Sequence, residues 1–179
     1  TAIAFSINQQ GTINISEKFF EFLHPSHILF SAFVTTAIFY KHQRKITNAI
    51  IIGVIGAIVV GSLSDIIFPY LEGTFLSLNP SFHLPLIEEP IMILSVALIG
   101  SILGLIFKQT ELPHFMHIFI SVFASLFYIL AFSTITISII NLIIIFIITF
   151  IAVIVPCCTS DIIFPLLFLK KYKCKCCGE

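Results

Sequence analysis

The sequence predicts an all-α integral membrane protein with about five transmembrane helices, arranged as two related helix pairs (an inverted repeat) joined by a central span. Three observations predict it. The chain is 58% hydrophobic and 10% charged, where a soluble domain carries about 25% charged residues, and its mean hydropathy is +1.11. Several apolar runs are each long enough to cross a hydrocarbon core of ~30 Å. The six residues SDIIFP occur twice, as Ser64 to Pro69 and as Ser160 to Pro165, and each copy follows a His-x-x-His segment.

Residues 1–24 read as an N-terminal segment outside the membrane. Within it, Ser16 to Phe22 (SEKFFEF) has the pattern of an interfacial amphipathic stretch that Ser16 would cap. Residues 25–170 form the transmembrane domain. The first span runs from about Pro25 to Tyr40 and the second from Ile46 to Tyr70, together repeat 1 (25–70). Glu88 to Phe107 is the linking span. Pro113 to Phe132 and Ile139 to Leu169 are spans four and five, together repeat 2 (113–169). The fifth is long enough to tilt or to break at Pro156 or Pro165, each of which removes a helix hydrogen bond. Residues 171–179 are a Cys/Lys tail.

Basic residues orient the chain. Lys41, Arg44, Lys45, Lys108, Lys170, Lys171, Lys173 and Lys175 all fall on one side, and Lys18 is the exception. The positive-inside rule then predicts a multi-pass protein of the cell membrane with its N-terminus outside and its C-terminus in the cytoplasm. Formal net charge is zero and no basic stripe is present, so nucleic acid is excluded as a partner. The chain also lacks a P-loop, a nucleophile elbow, a haem-attachment motif and a zincin motif. The expected partners are the lipid bilayer, a metal ion or small solute, and a second copy in a homodimer.

The repeat carries the chemistry. HPSHILFSAF (His24 to Phe33) opens span one and HFMHIFISVF (His114 to Phe123) opens span four. Each has two histidines three apart, and a serine four residues after the second. Residues at i and i+3 share a helix face, so His24 with His27, and His114 with His117, can each address one ion. Asp65 and Asp161, on the spans that follow, would complete nitrogen-and-oxygen ligand sets suited to Zn²⁺, Fe²⁺, Mn²⁺ or Ni²⁺. The position of His24 before Pro25 leaves it at the edge of the helix or outside it. Ionisable side chains inside a bilayer are costly unless paired, which makes each a functional candidate. The plainer roles are solvation at the membrane surface for a histidine and cross-helix hydrogen bonding for an aspartate.

Depth, counted from the basic residues at ~1.5 Å per residue, separates two clusters. His24, His27, Asp65, His83, Glu88 and Glu89 lie roughly 27–30 Å from the basic side. His117 and Asp161 lie roughly 13 Å from it, and His114, Cys157 and Cys158 belong to the same inner group. Glu88 and Glu89 are the general-base candidates if the protein is an enzyme; otherwise no catalytic residue is assigned. Cys157 sits one turn before Asp161 and also reads simply as a small apolar residue. The tail Cys174 to Glu179 suits palmitoylation or capture of a soft metal. Gly53, Gly56 and Gly61, and Gly100 and Gly104, permit close helix approach.

Together these observations predict a metal transporter or metal-coupled transporter. The alternatives are a membrane-embedded metal-dependent hydrolase of a lipid or lipid-linked phosphate, and a non-catalytic membrane subunit.

Overall fold

The computed structural model describes residues 9–107, 111–135, 137 and 139–167, with side chains from residue 14 as far as 157. Helix α1 is Gln9–His42. Helix α2 is Ile46–Ser62, and it continues through a π turn, Leu63–Ile67, into α3, Phe68–Phe75. A single turn, α4, covers Pro85–Glu88, before α5, Pro90–Phe107. Helix α6 is Glu111–Phe132 and α7 is Ile139–Leu167. Among the described residues, five helices are long and apolar enough to cross a membrane.

The element boundaries differ from the sequence expectation in instructive ways. The amphipathic stretch and the first span are one helix, and Ser16 is buried inside it rather than capping it. Pro25 lies in the interior of α1, so His24 is helical too. Proline is tolerated in buried apolar helices because neighbouring groups satisfy the freed carbonyls. The same holds for α7, which runs without a break past Pro156 and Pro165. Span three begins at Pro90, because Glu89 leaves helical geometry at φ −131° and ψ 59°.

Helix α1 is the centre of the bundle and packs along α6, α5 and α2. Its approach to α5 depends on two glycines. A Cβ at Gly100 would collide with the backbone carbonyl of Leu29, and one at Gly104 with that of Phe33. Backbone cannot move aside as a side chain can, so only glycine allows this contact. The register runs parallel, 100 on 29 and 104 on 33. Continued, it sets Phe107 opposite Thr36, about 9 Å short of the end of α1 at ~1.5 Å per residue.

The segment between α3 and α4 turns at Ser77 and Asn79, both at positive φ (57° and 47°). It is tied to the end of α6 by Ser81 N–H to Phe132 O at 2.9 Å and by a bridge between Pro80 and Ser133. Beneath it, Phe20 is fully buried against Tyr128, Phe132 and His83. It stacks on His24 with ring centroids 5.4 Å apart, capping the interior at this end.

Candidate metal centre

Within the first SDIIFP copy, Pro69 and a hydroxyl from α6 together accommodate a π turn. Proline has no N–H and its ring crowds the carbonyl four residues earlier; for Pro69 that carbonyl belongs to Asp65. The turn just before it widens, and Phe68 N–H bonds Leu63 O, five residues back. The carbonyl that Phe68 would otherwise reach, Ser64 O, accepts the Ser125 hydroxyl of α6 at 2.9 Å instead. This one-residue expansion is of the kind found at functional sites, and it carries Asp65. The second copy, Ser160 to Pro165, is plain α-helix, and its side chains, Asp161 included, lie outside the described residues together with that of Cys158.

Asp65 is fully buried and sits where α1, α6 and the π turn meet. His24 Nδ1 lies 2.9 Å and His27 Nδ1 2.7 Å from its Oδ2. Ser64 Oγ at 2.9 Å and Ser121 Oγ at 2.6 Å reach its Oδ1. A carboxylate only accepts, so both imidazoles place their proton on Nδ1. Carboxylate-assisted bonds of this type are roughly twice as strong as neutral ones. Gly61 packs beside the pair, where a Cβ would stand 3.0 Å from Ile28 Cγ1 and press that side chain back by a few tenths of an ångström.

With Nδ1 committed, His27 points Nε2 the other way. Cys157 Sγ of α7 lies 4.0 Å from it, and 3.8 Å from Ser121 Oγ. The His117 ring stacks on His27 with centroids 5.5 Å apart and planes 17° apart. His27, His117 and Cys157 each offer a ligand atom, all within 4.8 Å of one another, and all three residues are buried. A carboxylate behind a histidine, fixing its tautomer and pointing the other nitrogen at an ion, is the usual outer shell of a metal site.

The centre therefore joins residues that the sequence had placed at two depths. His27, from the outer group and braced by Asp65, meets His117 and Cys157, from the inner one. The depth count treated Lys45 and Lys108 as level. The α1–α5 register shows that α5 ends well short of α1, so His117, early in α6, starts deeper in the bundle. His114 is one turn from the centre, its ring edge-on to His117 at 5.1 Å. His24 stands behind Asp65, away from the three ligand atoms. Glu88 and Glu89 are exposed. They line a cavity of about 440 Å³ with Lys18, Glu21, Pro25 and His83, on the side that the sequence reading places outside, and Glu88 Oε1 is 2.9 Å from His83 Nδ1.

Sequence reasoning missed three polar residues. Ser125 sits one turn past Ser121 and holds the π turn. Glu72, buried on α3, accepts a hydrogen bond from Thr149 of α7 at 2.8 Å. A glutamate seven residues past Asp65 in an otherwise apolar run was the available signal. No protein-family profile, curated protein or solved structure matches this chain.

Proposed function

We propose that the protein binds a divalent transition metal at the centre of its bundle and carries it across the membrane. The observation that supports this most directly is the convergence of His27, His117 and Cys157 within 4.8 Å in a buried layer, with Asp65 bracing His27. Metal-ligating histidines are oriented in this way, and intramembrane ionisable groups are costly without a partner.

Movement, rather than binding alone, is supported by what lies on either side. His24, His27, Ser31, Thr35 and Thr36 form a buried polar file down α1. From residue 24 to residue 36 it covers about 18 Å at the α-helical rise. On α6, His117, Ser121 and Ser125 continue the same interior face. At the far end of the file, Thr36 Oγ1 and Ser101 Oγ are buried beside Gly53 without hydrogen-bond partners among the described residues. A succession of weak oxygen sites leading to a stronger nitrogen-sulfur site suits an ion that must enter and also leave.

In this reading the protein lies in the cell membrane with its N-terminus outside. The two His-x-x-His/Asp hairpins are the halves of an inverted repeat, which places substrate sites near the midplane, and two copies assemble as a homodimer. Asp161 would serve the second half as Asp65 serves the first.

A second reading is favoured by the merging of the two expected clusters into one, as an enzyme would need. In it, the metal activates water for hydrolysis of a lipid-linked phosphate. The substrate would enter from the cavity that Glu88 and Glu89 line and would have to pass the Phe20–His24 cap to reach the metal, with one of the two glutamates as base. Uptake by purified protein in sealed vesicles separates the two. Saturable Zn²⁺ uptake, lost in His27→Ala and His117→Ala, is the expected result. Zn²⁺ bound stoichiometrically without any uptake would sink transport and leave the hydrolase. No metal bound at all would sink both.

A further inference from the structure

We infer that Cys157 makes the centre selective for a thiophilic ion of the Zn²⁺ class, and that the same geometry rejects Mn²⁺. This rests on the metal-binding reading above and names the ion that the site takes.

The first argument is distance. An ion bonded to imidazole nitrogen at ~2.05 Å and to thiolate at ~2.3 Å, at a tetrahedral angle, holds the two atoms about 3.6 Å apart. His27 Nε2 and Cys157 Sγ are 4.0 Å apart, so a closure of a few tenths of an ångström makes both bonds. Coordination takes the thiolate, so the thiol proton leaves to water as the metal–sulfur bond forms.

The second argument concerns the ligand that is withheld. Mn²⁺, Mg²⁺ and Ca²⁺ favour oxygen, and the one carboxylate at the centre is Asp65. A carboxylate offers about four acceptor positions. His24 and His27 occupy Oδ2 and Ser121 occupies Oδ1, while Ser64 Oγ, whose one proton can go instead to Val60 O at 2.9 Å, also stands 2.9 Å from Oδ1. An ion that needed Asp65 would have to displace the Ser121 hydroxyl from Oδ1 or the two imidazoles from Oδ2. Two imidazoles and a thiolate remain, a set that suits Zn²⁺ and the softer transition ions. Asp65 is thus a positioning residue and Cys157 a ligand.

The test is competition binding on the full-length protein in detergent, with Zn²⁺ against Mn²⁺, for wild type and Cys157→Ser, both carrying serine at Cys158, Cys174, Cys176 and Cys177 so that the tail contributes no thiolate. Serine is nearly isosteric and keeps a polar group toward Ser121, so the fold is retained. The expected result is a strong Zn²⁺ preference in wild type that falls at least about tenfold in the variant, the lower end of what loss of an outer-shell partner costs a metal site. Co²⁺ serves as a second probe, because thiolate bound to Co²⁺ gives a sulfur-to-metal charge-transfer band that imidazole alone does not. That band should be present in wild type and absent in Cys157→Ser, with Co²⁺ still bound. A wild type that binds Zn²⁺ but shows no such band with Co²⁺, or a variant with unchanged preference, overturns the inference and leaves the metal-binding reading standing. A wild type that binds none of the three ions overturns both.

Discussion

Asp65 is held by donors from α1, from α6 and from its own turn, and this arrangement decides what substitution does. Asparagine keeps the shape but replaces one acceptor oxygen with a donor NH₂ group. That group must then face either the two imidazole N–H groups or the two hydroxyls. Serine hydroxyls can rotate and imidazoles fixed by packing cannot, so the amide oxygen stays on the histidine side as a weaker, uncharged acceptor. Asp65→Asn is therefore expected to fold and to bind Zn²⁺ about 10- to 100-fold more weakly, as outer-shell changes do, measured by titration against a competing chelator. Unchanged affinity would mean that the carboxylate has no part in orienting His27. The pairing of His27 with Asp65 was legible at this scale, because the motif SDIIFP and the His-x-x-His pattern each put a polar group into an apolar frame. Cys157 was less so. It lies 130 residues from His27 in the chain, and a cysteine in an apolar helix looks the same whether it packs or binds.

The elements owe their positions to small residues and to prolines. Gly100 and Gly104 set α5 against the backbone of α1, and the α1 side of that contact is carbonyl oxygen that cannot turn away. Gly100→Ala is expected to cost about 1–3 kcal/mol, the range for overpacking, whereas Leu98→Ala, on the exposed face of α5, should stay within about 0.5 kcal/mol. Thermal unfolding of both variants in the same detergent checks this. Equal costs would remove the close contact from the account. The number of spans and most of their ends were readable from hydropathy alone. The offset between α1 and α5 was not. Hydropathy says where a helix meets the hydrocarbon, and the glycine contacts determine how far one helix slides past its neighbour. Sliding of this kind brought His117 up to His27. The π turn was equally hidden, since the second SDIIFP copy has the same residues and remains α-helical.

Among the described residues the long helices alternate in direction, so the α1–α2 junction, the last residue of α5 and the first of α6 share one end of the bundle and the segment 76–84 lies at the other. If the basic end is cytoplasmic, a maleimide that cannot cross membranes labels Phe82→Cys in intact cells and leaves Gln43→Cys unlabelled until the membrane is opened. Both variants are made on a background in which the five native cysteines are serine. The opposite pattern reverses the orientation. It would also turn the cavity lined by Glu21, Glu88 and Glu89 to face the cytoplasm.

The widened turn before Pro69 holds one residue more than an α-helical turn, and that residue decides where two carboxyl groups face. In an unbroken α-helix, positions seven apart lie almost on one face, so Asp65 and Glu72 would look the same way. Instead Asp65 looks to α1 and α6, and Glu72 to Thr149 on α7. Removing residue 66 or 67 would restore 3.6 residues per turn and still leave the two about 120° apart, now six positions on. Replacing Pro69 at unchanged length would instead let the turn close as α-helix and draw both carboxyl groups to one side, where one would have to face lipid. A substitution at this proline would therefore disturb the interior more than a shortening of the turn beside it.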